Sequence, residues 1–179
     1  LNGYPPMDKQ TWLKYFNLLK SYGINHWRFH SWCPPNAALM AADEAGVYLQ
    51  PELPNKRSGM DRKSMDDEVV RKRFNIDYLE VDTSIMNMTL QDYLQREGEL
   101  IFKHFGNHPS FVMFTLGNEL GRNTEMFNLV ANFKKIDPRR LYAQGSNNMH
   151  WNLSFAKGDD FWVSAKTAID LPVRGSYFH

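Results

Sequence analysis

One stretch, residues 108–120, constrains the fold of this chain more than any other. It consists of His-Pro-Ser, then six mostly apolar residues from Phe111 to Leu116, then Gly-Asn-Glu-Leu. A short apolar run between Pro and Gly is typical of a strand buried on both faces, as in the centre of a parallel sheet. Asn118 and Glu119 follow at the carboxyl end of this strand, where α/β folds bind ligands. Two interpretations stay open: the two side chains act on a ligand, or they cap the next helix.

The rest of the chain alternates between helix-like and strand-like segments. Apolar residues at helical spacing predict helices at about 8–22, 36–45, 90–105 and 124–135, the first of them capped by Asp8. Shorter apolar runs predict strands at 24–29, 47–53, 111–116, 141–144 and 161–163. The predicted buried face is Trp12, Tyr15, Phe16 and Leu19 in the first helix, and Tyr93, Leu94, Leu100 and Ile101 in the third. Helix and strand at this spacing build parallel sheets, so the pattern predicts an α/β fold, either doubly wound or a barrel.

Residues 55–89 break this alternation with charges, methionines and several aspartates. We expect a long insertion there, partly helical around 67–78. It would hang over the edge of the sheet that carries the candidate site. Long loops are usually functional or mobile, although a surface excursion without a role fits the pattern as well.

Composition argues against several classes of partner. The formal net charge is only +1, from 21 basic and 20 acidic residues, so nothing indicates nucleic acid or an anionic membrane. No apolar run approaches the roughly 20 residues that cross a bilayer. Cys33 is the single cysteine, which excludes an internal disulfide and a cysteine zinc cage. His104 and His108 have zinc-like spacing, but Gly106 between them would end the helix, so we expect no metal site there.

Three motifs together resemble glycoside hydrolase family 2, the β-galactosidase and β-glucuronidase family. They are Trp27-Arg28-Phe29-His30-Ser31-Trp32, then Leu49-Gln50-Pro51-Glu52-Leu53-Pro54, then the 108–120 stretch. The resemblance covers most of residues 3–148. It implies part of a TIM (β/α)8 barrel, roughly from helix one to strand six. Residues 1–179 would then be an incomplete catalytic domain, with the remaining barrel and accessory β-sandwich domains elsewhere in the parent chain.

The resemblance also implies a reaction, retaining hydrolysis of β-glycosides without a cofactor. Glu119 matches the general acid/base after strand four, and Asn118 matches the residue that binds the sugar hydroxyl next to the anomeric carbon. Arg28 matches the arginine that holds the nucleophile ionised. That nucleophile is a Glu after strand seven, which has no counterpart within these 179 residues. The implied partner is a glycoside or oligosaccharide.

Other residues at the same strand ends are candidate substrate contacts, each with a structural alternative. Glu52 either pairs with a cation in the barrel mouth or supports the substrate or a metal, and the alternative for Arg28 is a structural ion pair with Glu52 or Glu119. His30 and Trp32 either touch the sugar or serve packing. Asn147 and Asn148, with His150 and Trp151, form a second polar and aromatic cluster. The family tyrosine after strand six has no clear counterpart, and Tyr177 is only a candidate substitute.

Two further hypotheses compete with a glycosidase. A noncatalytic barrel that binds carbohydrate or scaffolds other domains would keep the aromatic mouth and need no second carboxylate. An unrelated α/β enzyme would use Asn118 and Glu119 as a helix cap. Arg28, Glu52 and Glu119 in one site would argue against the latter. The sequence indicates neither the sugar nor the cellular compartment.

Overall fold

The structure is a computed structural model that describes residues 4–54, 90–118, 124–145, 158–163 and 177–178. Helices and strands alternate along these residues. The helices are α1 (Lys9–Ser21), α2 (Asn36–Ala45), α3 (Leu90–Phe105) and α4 (Thr124–Ile136). The strands are β1 (His26–Arg28), β2 (Tyr48–Gln50), β3 (Met113–Thr115), β4 (Leu141–Ala143), β5 (Trp162–Val163) and β6 (Tyr177–Phe178). The insertion expected at 55–89 lies outside the described residues.

The helices begin and end where the sequence predicts because local chemistry sets their termini. The Asp8 carboxylate caps α1 by accepting a hydrogen bond from the Thr11 backbone N–H at 2.8 Å. Gly46 ends α2 in the left-handed conformation, with φ +67°. The predicted buried faces need two corrections, since Tyr15 is 39% exposed and Leu100 is 41% exposed. Leu13 in α1 and Phe102 in α3 are buried instead.

Four strands lie side by side in chain order, and all of them are parallel. β1 pairs with β2, and β3 pairs with β4. Single bridges at Leu49–Phe111 and Glu52–Thr115 join β2 to the chain around β3. Within the described residues the sheet does not close on itself. β5 pairs with β6 in antiparallel orientation, and the sequence did not predict β6.

The helices cover one face of these strands, here called the helix face. Its side chains pack on the helices: Trp27 against Phe16 of α1, and Phe114 against Phe102 of α3 and Phe133 of α4. Leu49 and Tyr142 belong to the same core cluster. Alternate residues point to the other face, here called the site face, which carries Arg28, Gln50 and Thr115. One face is therefore a hydrophobic core and the other carries polar groups.

Candidate functional site

Three polar side chains meet at the carboxyl edge of the parallel strands. Arg28 ends β1, Glu52 follows β2 and Asn118 follows β3. Arg28 Nε donates to Glu52 Oε1 at 2.6 Å, and Arg28 Nη2 donates to Glu52 Oε2 at 3.3 Å. Arg28 Nη2 also donates to Asn118 Oδ1 at 2.6 Å. Because parallel strands end at one edge of a sheet, residues 24 and 90 positions apart become hydrogen-bonded neighbours.

The Glu52 carboxylate is a fully buried charge held by an ion pair and by neutral donors. Its side chain is 0% exposed, and that of Arg28 is 20% exposed. The Ser31 backbone N–H donates to Glu52 Oε2 at 2.7 Å, and the Thr115 hydroxyl donates to Oε1 at 2.9 Å. The pairing of Glu52 with a cation, one of the two alternatives from sequence, is therefore present. Removing one partner of such a pair typically costs about 3–5 kcal/mol, because the other charge stays buried.

Sequence reasoning missed the donors that surround Glu52. Ser31 donates through its backbone, in the left-handed region at φ +60°, and no side-chain pattern signals such a contact. Thr115 did leave a signal, because it is the one polar residue in the apolar run from 111 to 116. Gln50 Nε2 donates to the Thr115 hydroxyl at 3.3 Å, so this residue from β2 supports the same group.

The described contact of the Asn118 side chain is with the strand edge, and the residues that a helix cap would bind, 119–123, lie outside the described residues. α4 begins only at Thr124, and the Asn118 side-chain oxygen accepts its hydrogen bond from Arg28. Asn118 is 7% exposed, so its amide is almost entirely enclosed. The amide is therefore enclosed and its oxygen is bound to a charged donor, and both interpretations of Asn118, ligand contact and helix cap, stay predictions.

The residues that follow Arg28 have mixed surroundings. His30 is exposed, whereas Trp32 is partly buried and packs edge-on against Phe29, with ring centroids 5.2 Å apart. Packing therefore accounts for part of the Trp32 side chain. Burial raises the pKa of the Cys33 thiol to about 12, with a smaller contribution from the negative charge of Glu97. This thiol is protonated near neutral pH and is no nucleophile there.

The sequence from residue 5 to residue 162 matches the protein family described as "Glycosyl hydrolases family 2, TIM barrel domain". The chain belongs to glycosyl hydrolase family 2. No protein of curated function matches the sequence.

Solved structures similar to this family 2 chain share its α/β fold. A β-glucuronidase from Parabacteroides merdae has 20% identity and a TM-score of 0.54, over 77% of this chain and 16% of that chain. A β-glycosidase from Bacteroides vulgatus has 22% identity and a TM-score of 0.55, over 80% and 16%. A family 2 member from Bacteroides cellulosilyticus has 21% identity and a TM-score of 0.56, over 80% and 17%. The chain thus spans about a sixth of the length of each of these proteins.

Several predicted site residues of this family 2 chain lie outside the described residues. They are Glu119, Asn147, Asn148, His150 and Trp151. Their predicted roles stay predictions.

The two histidines with zinc-like spacing have other surroundings. His104 is exposed, and both ring nitrogens of His108 are engaged, Nδ1 with Asp43 Oδ2 at 2.5 Å and Nε2 with Asn36 Oδ1 at 2.9 Å. In the part of the chain that the structure describes, no three His, Cys, Asp or Glu side chains are grouped as a metal site would need. None of the described helices has the length and apolarity of a membrane span.

Proposed function

We propose that this chain is part of the catalytic domain of a retaining β-glycosidase whose general acid/base is Glu119. One observation carries the proposal: Arg28, Glu52 and Asn118 join in one hydrogen-bonded cluster at the strand edge, and Glu119 directly follows Asn118. Membership of glycosyl hydrolase family 2 supports the reaction class. Two of the similar structures, a β-glucuronidase and a β-glycosidase, support a β-linked sugar.

The domain in this proposal is an incomplete TIM (β/α)8 barrel, from helix one to strand six, with a long insertion at 55–89. The parallel chain-order succession of β1 to β4 supports it. So does the helix layer on one face, because a doubly wound sheet carries helices on both faces and reverses its strand order. The remaining barrel and accessory β-sandwich domains belong to the parent protein.

In the proposed reaction Glu119 first acts as an acid. It protonates the oxygen of the leaving group while a carboxylate from strand seven attacks the anomeric carbon, and the glycosidic C–O bond breaks. The product is a covalent glycosyl-enzyme. Glu119, now ionised, takes a proton from a water molecule that attacks the same carbon and releases the carboxylate. Two inversions retain the configuration, which requires the two carboxyl groups to lie about 5–5.5 Å apart.

The other residues at the strand ends recognise the sugar in this proposal. Asn118 binds the hydroxyl next to the anomeric carbon, a contact that strengthens as positive charge develops there. Arg28 orients the incoming nucleophile through Nη1, because a guanidinium stays charged and its Nε and Nη2 groups are engaged with Glu52 and Asn118. The substrate is a β-glycoside or the end of an oligosaccharide. Its site is lined by His30, Trp32, Asn147 and Asn148.

Replacement of Glu119 by alanine in the whole protein tests the proposal. We expect Glu119→Ala to lower turnover of sugars with poor leaving groups by about 10²–10⁴-fold, the usual contribution of a positioned acid. Aryl glycosides with activated leaving groups need less protonation and should lose less activity. Azide should partly restore their turnover and give a β-glycosyl azide, detectable by mass spectrometry.

Glu99, an exposed carboxylate on α3, provides the control. Glu99→Ala should change neither rate nor azide response. Equal losses on both substrates without any effect of azide would contradict the role of Glu119.

A further inference from the structure

The Glu52 carboxylate has its hydrogen-bonding capacity filled by the protein itself. Oε1 accepts from Arg28 Nε at 2.6 Å and from the Thr115 hydroxyl at 2.9 Å. Oε2 accepts from the Ser31 N–H at 2.7 Å and from Arg28 Nη2 at 3.3 Å. An ionised carboxylate offers about four lone-pair sites, so these four donors leave none for a sugar hydroxyl. The Glu52 carboxylate therefore holds neighbouring protein groups in place rather than binding a ligand.

The contact between Arg28 and Asn118 fixes which end of the Asn118 amide faces the arginine. A guanidinium carries donors only, so the atom 2.6 Å from Arg28 Nη2 has to be the amide oxygen. The amide nitrogen points away from Arg28. The amide oxygen is therefore the atom that faces the arginine, and the N–H₂ group is the part of the Asn118 side chain that can face a ligand. The contact with Arg28 thus sets the orientation of the Asn118 amide.

The surroundings of Glu52 restrict its movement and therefore that of Arg28. The Ser31 N–H donates to Glu52 Oε2, and the Ser31 backbone has a left-handed conformation that non-glycine residues seldom adopt. Such conformations persist only where neighbouring contacts demand them, and they cluster at ligand sites. On the other side Thr115 is itself held by Gln50. The guanidinium plane then follows the carboxylate plane, because paired donors fix both.

We propose that Glu52 is a positioning residue that never touches substrate: it holds Arg28, and Arg28 turns the Asn118 amide so that its nitrogen donates to the sugar hydroxyl next to the anomeric carbon. This inference rests on the proposed function. It assigns Glu52 an indirect part in recognition of one hydroxyl. The effect of Glu52 on catalysis should accordingly depend on whether the substrate carries that hydroxyl.

The test compares two substrates in the whole protein, a 4-nitrophenyl β-glycoside and its 2-deoxy counterpart. The sugar is whichever of galactose, glucose and glucuronic acid the wild type cleaves fastest. We measure the ratio of the two kcat/KM values, which reports the contribution of the hydroxyl. Glu52→Gln keeps the shape but turns a donor toward Arg28, and we expect it to lower this ratio about tenfold or more. Asn118→Ala should lower it similarly, and the double variant no further, since both changes break one contact.

Asp137→Asn is the matched control, because Asp137 is also a buried carboxylate bound by arginine. Asp137 precedes β4 and therefore lies at the amino end of the strands, away from the site at their carboxyl edge. It should lower the melting temperature and leave the ratio unchanged. If Glu52→Gln does not fold, Glu52→Asp, which keeps the charge and withdraws the carboxylate by one methylene, carries the same expectation.

The outcomes separate this inference from the proposed function. An unchanged ratio in the Glu52 variants, or an additive fall in the double variant, overturns the positioning role alone, provided that Asn118→Ala lowers the ratio. Absence of glycoside turnover in the wild-type protein overturns the proposed function and the positioning role with it.

Discussion

At Gly98, in the middle of α3, the absence of a side chain lets Phe133 of α4 pack against the helix backbone. A Cβ atom at Gly98 would lie 2.4 Å from Phe133 Cζ and 2.5 Å from Cε1. The Phe133 ring cannot withdraw, because it is fully buried between Phe102 and Phe114, with ring centroids 5.3 Å and 5.7 Å away. This contact sets how closely α3 and α4 approach.

Gly98→Ala is therefore expected to destabilise the protein although alanine favours helix. Overpacking costs about 1–3 kcal/mol, against a gain in helix propensity of at most about 1 kcal/mol. Urea unfolding followed by circular dichroism measures the difference. Gly98→Ala should cost less free energy of unfolding when it is added to Phe133→Leu than when it is added to the wild type, because the smaller side chain relieves the overpacking. A more stable single variant would show that the helices separate freely.

The polar residues of the site were predictable one by one, but their contacts were not. Arg28, Glu52 and Asn118 stand out because each interrupts or follows an apolar run at the end of a strand. Which of them touch depends on strand order and register, which no local pattern specifies. The Ser31 N–H was beyond prediction, because a backbone donor at φ +60° carries no side-chain signal.

At the scale of elements, helices were predictable nearly to the residue and strands only approximately. α2 and α3 have the predicted bounds because Pro, Gly and capping residues mark helix termini within the sequence itself. The strand predicted at 24–29 is a regular β-strand only from His26 to Arg28. Strand length depends on how far the neighbouring strand runs alongside, and that neighbour is distant in sequence.

An ionised side chain joins α2 to the segment before β3. Asp43 of α2 accepts from the Ser110 N–H at 2.9 Å and contacts His108 Nδ1 at 2.5 Å. Burial by itself would raise the pKa of Asp43, but the hydrogen bonds from Ser110 and His108 outweigh it and hold the pKa below the ordinary value. The folded protein therefore binds this proton less readily than the unfolded chain does.

This depressed pKa predicts a pH-dependent contribution of Asp43 to stability. The contribution is complete above the unfolded carboxyl pKa of about 4 and is lost as the pH falls through the lower folded value. Asp43→Asn should cost about 1–3 kcal/mol at pH 7, and its difference from the wild type should shrink below about pH 4. Urea unfolding between pH 3 and pH 7 measures this.

The neighbouring Glu44, half-exposed and paired with Lys9, is the control. Glu44→Gln should change stability by less than about 1 kcal/mol throughout the pH range. A constant gap between Asp43→Asn and the wild type from pH 3 to pH 7 would contradict the linkage.

At the scale of the whole molecule, the helices shield one face of the parallel strands and leave apolar residues on the other. Tyr48 shares the site face with Gln50 and is 52% exposed, and Leu141 shares it with Ala143 and is 40% exposed. A complete barrel would enclose such residues among the side chains of other strands. The sequence alone fitted a doubly wound sheet equally well, since alternation specifies neither strand order nor which face the helices cover.

The 179-residue chain by itself should therefore hydrolyse no aryl β-glycoside. In the proposed function it supplies Glu119, and the second carboxylate that retention requires follows strand seven of the barrel. The measurement is release of 4-nitrophenol by the purified chain beside the whole protein at equal concentration. Turnover by the chain alone that disappears in its Glu119→Ala form would show that both carboxylates lie within these residues.

The hydrogen bonds of the Arg28 guanidinium also restrict the direction from which an anion can approach it. Its Nε and Nη2 groups are occupied by Glu52 and Asn118, and Nη1 has no partner among the described residues. Any anion arriving from a later strand has to come in at Nη1, nearly in the guanidinium plane. The contacts of Arg28 with Glu52 and Asn118 thus set the angle at which a carboxylate from a later strand can bind the guanidinium.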